Sequence, residues 1–195
     1  MSDFNVPGDF DTVALALAAV DPNIPNTIIL GDGYGPENVA ISINDITITG
    51  PLSAEGIVLT LQDGVSGLVL MGDAPINVTE SLGNTVIAGN DGDNVITTSG
   101  GVAVVDGGLG VDRLVVDYSL SAGVITATTA VIGSDLGTVG ITGIENYTVL
   151  TGSGADVLTF TTAHGENYID AGDGANTIRV GDGENTVITG AGVDT

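Results

Sequence analysis

The chain contains no cysteine, no tryptophan and no lysine, and its only basic residues are Arg113 and Arg179. Without cysteine there can be neither a disulfide framework nor a thiolate metal site. The 25 acidic residues give a net charge of -23, which excludes nucleic acid as a partner because phosphate binding needs a basic surface. The same charge disfavours anionic membranes and acidic polysaccharides, and it favours a cation as the ligand.

Long apolar runs are missing as well. The longest one, VALALAAV at 13–20, falls well short of the about 20 residues that span a bilayer, so we expect no membrane insertion. The first residues, MSDF, carry no positive region and are followed by no long apolar stretch, so they do not form a secretory signal peptide. A secreted protein with this sequence would need another export route.

Glycine, valine, isoleucine and threonine dominate what is present. The 31 glycines, set against only four Tyr and three Phe, favour short strands joined by tight turns over a helical bundle. The apolar fraction of 43% is too high for a disordered acidic tail. We therefore predict an all-β fold with a buried core.

A nine-residue repeat organises much of the sequence. Residues 53–115 divide into seven units without a gap, and five of the seven fourth positions are glycine. The eighth positions, which should point inward, are Thr60, Val69, Val78, Ile87, Ile96, Val105 and Leu114. The register breaks near 116 and returns in units that begin at 151, 162, 171, 180 and 189. A two-residue insertion at 160–161 separates the first of these units from the second. The sixth positions of these later units are Asp156, Asn167, Asn176, Asn185 and Asp194.

Each unit is predicted to be a glycine-rich turn followed by a short strand with an apolar side chain facing inward. Two units make one flattened coil of 18 residues, and coils stack about 4.8 Å apart to bury their apolar faces. The fold class is therefore a parallel β-helix or β-roll solenoid. The turns predicted to face each other are 89–94 with 107–112, 162–167 with 180–185, 171–176 with 189–194, and, across the insertion, 151–156 with 171–176.

The pattern divides the chain into four segments. Residues 1–27 are predicted to form an N-terminal cap with a short helix at 11–20, started by Asp9 or Asp11, and a detached surface helix is the alternative. Residues 28–115 should form a parallel β-helix that runs into a β-roll. Residues 116–150 form irregular coils or a hairpin insert, and both remain open. Residues 151–195 form a second β-roll that stops inside a unit, so we expect a truncated protein.

One unit carries a specific motif. The sequence GGLGVDRLV at 107–115 fits G-G-x-G-x-D-x-U-x in full, TGSGADVLT at 151–159 fits it closely, and AGDGANTIR and VGDGENTVI fit less well because Asn replaces the sixth-position Asp. Through these units the chain resembles the RTX, or hemolysin-type calcium-binding, repeat family. The segment 27–70 looks more like a plain right-handed parallel β-helix. The resemblance implies a β-roll that holds Ca²⁺ between turns of successive coils.

In that family, turn carbonyls and the sixth-position carboxylate supply the ligands. The resemblance carries these roles onto three acidic residues and three turn glycines, namely Asp112, Asp156, Asp194, Gly89, Gly107 and Gly110. At other sixth positions an amide stands without the charge, so that metal contact and a hydrogen-bonded ladder both remain open: Asn94, Asn176 and Asn185. The third-position acids are either solvated turn residues or further ligands: Asp91, Asp173 and Asp182.

Electrostatics favours a metal independently of the resemblance. Carboxylates stacked one coil apart would lie roughly 5 Å from each other and repel by about 3 kcal/mol per pair at an effective dielectric near 20. A hard divalent cation with oxygen ligands would convert this repulsion into attraction. Ca²⁺ tolerates irregular coordination better than Mg²⁺ does, so the expected cofactor is Ca²⁺.

No catalytic pattern stands out, and we expect a protein that is not an enzyme. The only histidine, His164, occupies a turn position where any polar residue would serve. The sequence shows neither a Ser/His/Asp order nor a glycine-rich phosphate loop followed by a helix.

The predicted function is that of a calcium-stabilised structural or adhesive module of a large secreted bacterial surface protein, of surface-layer or adhesin type. It would fold on binding Ca²⁺ outside the cell, with copies of itself, other surface proteins or glycans as further partners. RTX proteins typically leave the cell by type I secretion, which reads a C-terminal signal. The alternatives are an accessory non-catalytic module of a secreted polysaccharide-active enzyme, of epimerase or lyase type, and an ice-binding solenoid. We rank ice binding lower because the threonines do not recur at one fixed place in the repeat.

Overall fold

A computed structural model describes residues 2–80 and 83–195. Within them the chain forms nineteen strands and one short helix, which confirms the predicted all-β solenoid. The strands are β1 (Ser2–Val6), β2 (Asn26–Leu30), β3 (Glu37–Ile41), β4 (Ile46–Gly50), β5 (Ile57–Leu61), β6 (Gly67–Gly72), β7 (Ile76–Glu80), β8 (Asn84–Asn90), β9 (Val95–Thr98), β10 (Gly101–Gly108), β11 (Arg113–Asp117), β12 (Thr126–Thr128), β13 (Val131–Ser134), β14 (Gly137–Thr142), β15 (Asn146–Leu150), β16 (Val157–Phe160), β17 (Asn167–Asp170), β18 (Thr177–Val180) and β19 (Asn185–Ile188). The helix α1 is Val13–Ala19.

The strands form two sheets, which we call sheet A and sheet B. Sheet A has eleven strands in the order β1-β2-β4-β6-β8-β10-β14-β13-β12-β16-β18, and sheet B has eight in the order β3-β5-β7-β9-β11-β15-β17-β19. From β2 to β11 the chain alternates between the sheets, and neighbouring strands pair in parallel. Alternate side chains of each strand point inward, so that Ile57 and Ile87 are fully buried between the sheets. Each turn of the chain is therefore one coil of a solenoid.

The 18-residue register begins later than the sequence suggested. Val78 pairs with Ile96, whereas Thr60 pairs with Thr79 and Val69 pairs with Ala88, which makes those earlier coils one residue longer. A shift of one residue in a strand exchanges its inward and outward side chains. The prediction that Thr60 and Val69 point inward is therefore wrong. The inward side chains of these strands are Leu59, Leu61, Leu68 and Leu70.

The same register aligns several threonines that the repeat numbering had separated. Thr60, Thr79 and Thr97 lie side by side on the outer face of sheet B, and Thr148 and Thr186 continue this file. The expectation that threonines share no fixed place is wrong for this face. Val115 and Tyr168 interrupt the file, so the ice-binding alternative stays secondary.

The segment that the sequence left open is built into sheet A. Strand β14 pairs in parallel with β10, β13 runs antiparallel between β14 and β12, and β12 pairs in parallel with β16. Between β11 and β15 of sheet B, where regular alternation would place one strand, the chain thus adds three strands to sheet A. Tyr118, Tyr147 and Phe160 are fully buried near this insertion, with the last two rings 5.0 Å apart. Large aromatic side chains fill the interior where the regular coil is interrupted.

The helix lies beside the first coils. It contacts β1 and β3, the strands that end sheet A and sheet B, and its Val13 and Ala16 are fully buried. Thr12, and neither of the two predicted aspartates, is the N-cap and accepts a hydrogen bond from the Leu15 N–H at 3.1 Å. The Val13 N–H also donates to Glu37 Oε2 at 3.0 Å. The helix therefore packs against β3 at the end of sheet B, and its role as a cap stays a prediction.

The corrected register predicts opposite effects for two neighbouring residues. Leu68 is 1% exposed and Val69 is 43% exposed. Leu68→Ala should lower the free energy of unfolding by about 2–5 kcal/mol because it leaves a cavity in the core, whereas Val69→Ala should cost about 1 kcal/mol or less. Urea denaturation in calcium-containing buffer measures both. A larger loss for Val69→Ala would restore the register read from the sequence and contradict the structure.

Candidate metal centre

The four predicted pairs of facing turns are all present. The Leu109 N–H donates to the Asn90 carbonyl at 2.9 Å, and the Asn167 N–H donates to the Glu184 carbonyl at 2.9 Å. The Gly174 N–H donates to the Ala191 carbonyl at 2.8 Å. Across the two-residue insertion, the Asp156 N–H donates to Asn176 Oδ1 at 2.9 Å. The candidate ligands thus lie in two columns of stacked turns, one along each edge of the solenoid.

Asp112 is the most informative residue of the first column. Its side chain is 0% exposed, and its Oδ1 accepts a hydrogen bond from the Asn94 N–H of the neighbouring coil at 2.8 Å. Its other oxygen, Oδ2, is buried and has no hydrogen-bond partner. A buried, unpaired carboxylate oxygen is costly in a folded protein. This oxygen is therefore available to a ligand that the chain itself does not supply.

The surroundings of Asp112 make its proton affinity unusual. The pKa of Asp112 is raised to about 7, chiefly by burial and also by the nearby carboxylates of Glu145, Asp93 and Asp106, although the hydrogen bond from Asn94 lowers it. Glu145 also holds the turn in place, because its Oε2 accepts a hydrogen bond from the Asp112 N–H at 2.9 Å. A cation at this position would favour the charged form of Asp112.

Asp156 repeats this arrangement in the second column. It is 0% exposed, its Oδ1 accepts a hydrogen bond from the Ile125 N–H at 2.8 Å, and its Oδ2 is buried without a partner. Asp194 is partly exposed, and its Oδ1 accepts a hydrogen bond from the Asn176 N–H at 2.9 Å. All three acids therefore use one oxygen to join two coils.

The amides at the sixth position are hydrogen-bonded within the turns. Asn176 Nδ2 donates to the Ala171 carbonyl at 3.0 Å. Asn185 Nδ2 donates to the Gly181 carbonyl at 3.1 Å, and Asn185 Oδ1 accepts a hydrogen bond from Asn167 Nδ2 at 2.9 Å. These contacts favour the hydrogen-bonded ladder for Asn176 and Asn185. Their contact with a metal stays a prediction.

Asn94 differs from the other amides. Its Oδ1 accepts a hydrogen bond from the Asn90 N–H at 3.3 Å, while its Nδ2 is buried without a partner. It lies directly beside Asp112, since its backbone N–H binds the Asp112 carboxylate. Asn94 therefore belongs to the same local site as Asp112.

The predicted turn glycines are needed because the coils approach closely. A Cβ atom on Gly89 would lie 1.9 Å from the Gly107 carbonyl oxygen, and one on Gly107 would lie 2.6 Å from Asp112 Oδ2. Gly110 has a φ of +107°, a conformation that glycine adopts readily. These glycines let the main chain pass beside the carboxylate, where carbonyl oxygens can serve as ligands.

The third-position acids lie farther out. Asp91, Asp173 and Asp182 are all exposed. Asp173 Oδ1 accepts a hydrogen bond from the Ala191 N–H of the next coil at 2.7 Å, which gives this residue a structural task. For all three, ligation of a metal stays a prediction.

The expected stacking of one sixth-position carboxylate on another does not occur. Asp112 lies next to Asn94, and Asn176 lies between Asp156 and Asp194. The mixed Asp and Asn ladder avoids the repulsion that we expected between stacked aspartates. What favours a cation is instead the burial of Asp112 and Asp156, each with one unpaired oxygen, together with the Glu145 carboxylate that lies beside Asp112.

The donor set of this site suits a hard cation. Within residues 2–80 and 83–195, no three acidic or histidine side chains converge as a group that could hold a metal ion. The groups beside Asp112 are its own unpaired carboxylate oxygen, the Glu145 carboxylate, the main chain at Gly107 and the amide of Asn94. Carboxylate, carbonyl and amide oxygens are the ligands that Ca²⁺ accepts. The residues present fit Ca²⁺, with Asp112 as the carboxylate that would hold an ion in the first column and Asp156 as the one in the second.

Sequence reasoning missed Glu145 and Asn146, which lie in the segment between the repeat blocks. Asn146 Oδ1 accepts a hydrogen bond from the Glu166 N–H at 2.7 Å, and its own N–H donates to the Asp112 carbonyl at 2.9 Å. A signal was present in the sequence, since the pair Glu-Asn recurs at 145–146, 166–167 and 184–185. The segment thus continues the column of turns, and Gly143, with a φ of +59°, is the turn glycine that lies against Gly107 and Gly108.

Comparison with known proteins identifies the repeats. The sequence model of the RTX calcium-binding nonapeptide repeat matches residues 81–114 and 165–195 in four copies, about a third of the chain. No curated protein and no solved structure matches the chain. Among the described residues, no helix is long and apolar enough to cross a bilayer. The buried carboxylates, the stacked glycine turns and this match lead to one conclusion: the chain is a parallel β-solenoid that carries RTX calcium-binding nonapeptide repeats, and these repeats bind Ca²⁺.

Proposed function

We propose that this chain is a structural or adhesive module of a secreted bacterial surface protein, and that its β-roll becomes ordered when Ca²⁺ binds outside the cell. RTX β-rolls are calcium-binding modules typical of secreted proteins, and they are typically non-catalytic. The observation that carries the proposal is the fully buried Asp112 with its unpaired Oδ2. Surface-layer or adhesin function and type I secretion are the finer parts of the proposal.

In this proposal the residues around Asp112 act as a link between coils. Asp112 Oδ1 holds the Asn94 N–H of one neighbouring coil, and Glu145 holds the Asp112 N–H from the other. A bound Ca²⁺ would supply the positive charge that lets the Asp112 carboxylate stay ionised while buried. Gly89, Gly107 and Gly110 keep the main chain close enough for carbonyl oxygens to join the site.

A calcium requirement would suit a protein that acts outside the cell. Extracellular calcium modules typically bind at about 0.1–1 mM, a concentration that is met outside cells. A net charge of -23 destabilises the compact state by self-repulsion when no cation is bound. The module would therefore remain loose before export and become rigid at the cell surface.

The first prediction concerns calcium-dependent folding. Addition of about 1–5 mM Ca²⁺ to the chelated chain should increase its strand content and raise its melting temperature, because a ligand that binds only the folded state stabilises it. Circular dichroism with and without a chelator measures both effects, and Mg²⁺ at the same concentration is the control for ionic strength. Identical spectra in Ca²⁺ and chelator would contradict the proposed folding mechanism.

The second prediction concerns the charge of Asp112. Asp112→Asn keeps an oxygen for the Asn94 N–H but removes the negative charge, so the Ca²⁺ concentration at half-folding should rise roughly tenfold. Without Ca²⁺, the same variant should be at least as stable as the original chain, because a neutral group is less costly to bury than a charged one. Calcium titration and urea denaturation measure the two effects.

The matched control is Asp63→Asn, which makes the same change in an exposed turn outside the residues matched by the RTX repeat model. It should leave the half-folding Ca²⁺ concentration unchanged. Equal effects of the two variants would show that the total charge, rather than the Asp112 site, sets the calcium response.

The third prediction concerns pH. The folded-state pKa of Asp112 is raised from 3.8 to about 7, so in the calcium-free chain its contribution favours folding at low pH and is lost as the pH rises through about 7. Ca²⁺ needs the deprotonated form, so the apparent Ca²⁺ affinity should weaken roughly tenfold per unit below pH 7 and level off above it. Isothermal titration calorimetry between pH 5.5 and 8.5 measures this profile. Asp112→Asn should flatten it, and a flat profile in the original chain would rule out Asp112 as the titrating ligand.

A further inference from the structure

The outer surface of sheet A is almost without charge. We define the apolar face as the outward side chains of its eight neighbouring strands β4, β6, β8, β10, β14, β13, β12 and β16. Asp106 is the one charged residue among them, although the chain has 25 acidic residues. The exposed apolar side chains on this face are Val69 (43%), Met71 (55%), Val86 (53%), Val102 (57%), Val104 (50%), Val131 (42%) and Val157 (39%). Exposed apolar areas of several hundred Å² mark interaction sites in soluble proteins.

The strand register gives this face a defined relief. Gly67 pairs with Val86, Val86 with Val104, Val104 with Gly140, and Gly140 with Val131. These five residues form one file across five neighbouring strands. The two central valines form a ridge, and a glycine on each side of it forms a hollow.

The solenoid itself does not require glycine in these hollows. A Cβ atom on Gly67 or Gly140 would meet its nearest atoms at 3.5 Å and 3.9 Å, and one on Gly133 of the same face at 3.8 Å, which are ordinary contact distances. By contrast, a Cβ on the turn residue Gly107 would lie 1.9 Å from a carbonyl oxygen. Glycine inside a strand weakens it and often marks a place where another backbone approaches closely. The hollows therefore point to a partner that packs tightly against the sheet.

We propose that the partner is a second copy of this chain, packed face to face through the apolar face. The relief is self-complementary: a twofold axis between β10 and β14 would set Val104 of each copy against Gly140 of the other. Val86 of each copy would then meet Val131. Two sheets packed in this way lie about 10 Å apart, and a twofold pairing uses the same patch on both partners.

The distribution of charge favours a copy over other partners. The acidic turns lie along the edges of the solenoid, so among the outward residues of these strands Asp106 alone would bring carboxylates near each other. The twofold axis would set Asp106 of each copy opposite Thr142 of the other. A basic partner would bind the acidic turns instead, and an acidic polysaccharide would be repelled by the net charge of -23. Long-range repulsion between copies remains, and salt would screen it.

The size of the face predicts a weak association. Eight strands about 4.8 Å apart extend over roughly 34 Å, and the two or three outward residues of each strand cover a width of about 10–15 Å. The two faces would together bury at most about 1,000 Å², at the lower limit for a specific interface. Such a contact becomes effective when many copies are held side by side, because the local concentration is then high. This suits the surface module of the proposed function, although the contact needs only the folded chain.

Sedimentation equilibrium of the full chain in 5 mM CaCl₂ tests the proposal. We expect a reversible monomer–dimer equilibrium whose dimer fraction increases between 50 and 500 mM NaCl, because screening reduces the repulsion. Val104→Lys should weaken dimerisation at least tenfold by placing a charge on the ridge. Gly140→Thr should weaken it to a similar extent by filling the hollow, while its circular dichroism and melting temperature stay unchanged or improve, since threonine suits a strand.

The matched control is Val58→Lys, which makes the same change on the outer face of sheet B and should leave dimerisation unaffected. A chain that is folded in Ca²⁺ but monomeric up to about 1 mM overturns the proposal, and so does a dimer that Val104→Lys and Gly140→Thr leave intact. A monomeric chain that instead sediments with an insoluble neutral polysaccharide through this face would assign it to a glycan. If Ca²⁺ fails to order the chain, the proposed function fails, and dimerisation of the folded chain in chelator still decides the fate of this interface.

Discussion

The structure depends on buried acidic side chains whose oxygen atoms are only partly hydrogen-bonded by the rest of the chain. Asp112 and Asp156 each give one oxygen to a backbone N–H of another coil and leave the other buried and unpaired. An amide can perform the structural half of this task, as Asn176 does when its Oδ1 accepts the Asp156 N–H. A carboxylate at such a position costs stability without a cation and adds stability with one. In the proposed function, the choice of Asp over Asn would therefore make folding depend on calcium.

Stacking extends the effect of each site along the solenoid. Each coil contacts only its neighbours, so stability is approximately a sum of local terms. Because Asp112 touches the coil before it through Asn94 and the coil after it through Glu145, one bound ion would order three successive turns. The insertion β12–β14 does not interrupt this coupling, since both of its outer strands are paired within sheet A.

The sequence allowed the solenoid, the facing turns and the sixth-position acids to be predicted, because an 18-residue coil repeats one chemistry at one place. The predicted inward positions were wrong where the length of the coil changes. An 18-residue register places Val69 in the core, but the coils there have 19 residues. Apolar residues occupy both faces of these strands and do not reveal the shift of one residue. Glu145 was missed because it reaches Asp112 across 33 residues of irregular sequence. The apolar face depends on which valines and glycines become neighbours, and only the strand register shows this.

The two ends of the solenoid gain their order from different sources. Near the start, α1 packs against β3, the first strand of sheet B, and the early coils bury large side chains such as Ile48, Leu59 and Leu68. In the last coil, Val187 and Ile188 remain 41% and 43% exposed, so burial of apolar surface stabilises it much less. In the proposed function, the early coils would therefore remain folded without metal and serve as a template, whereas the RTX coils would need the cation. Calcium would then extend an existing solenoid rather than start one, which avoids the costly closure of a first coil in a chain of high negative charge.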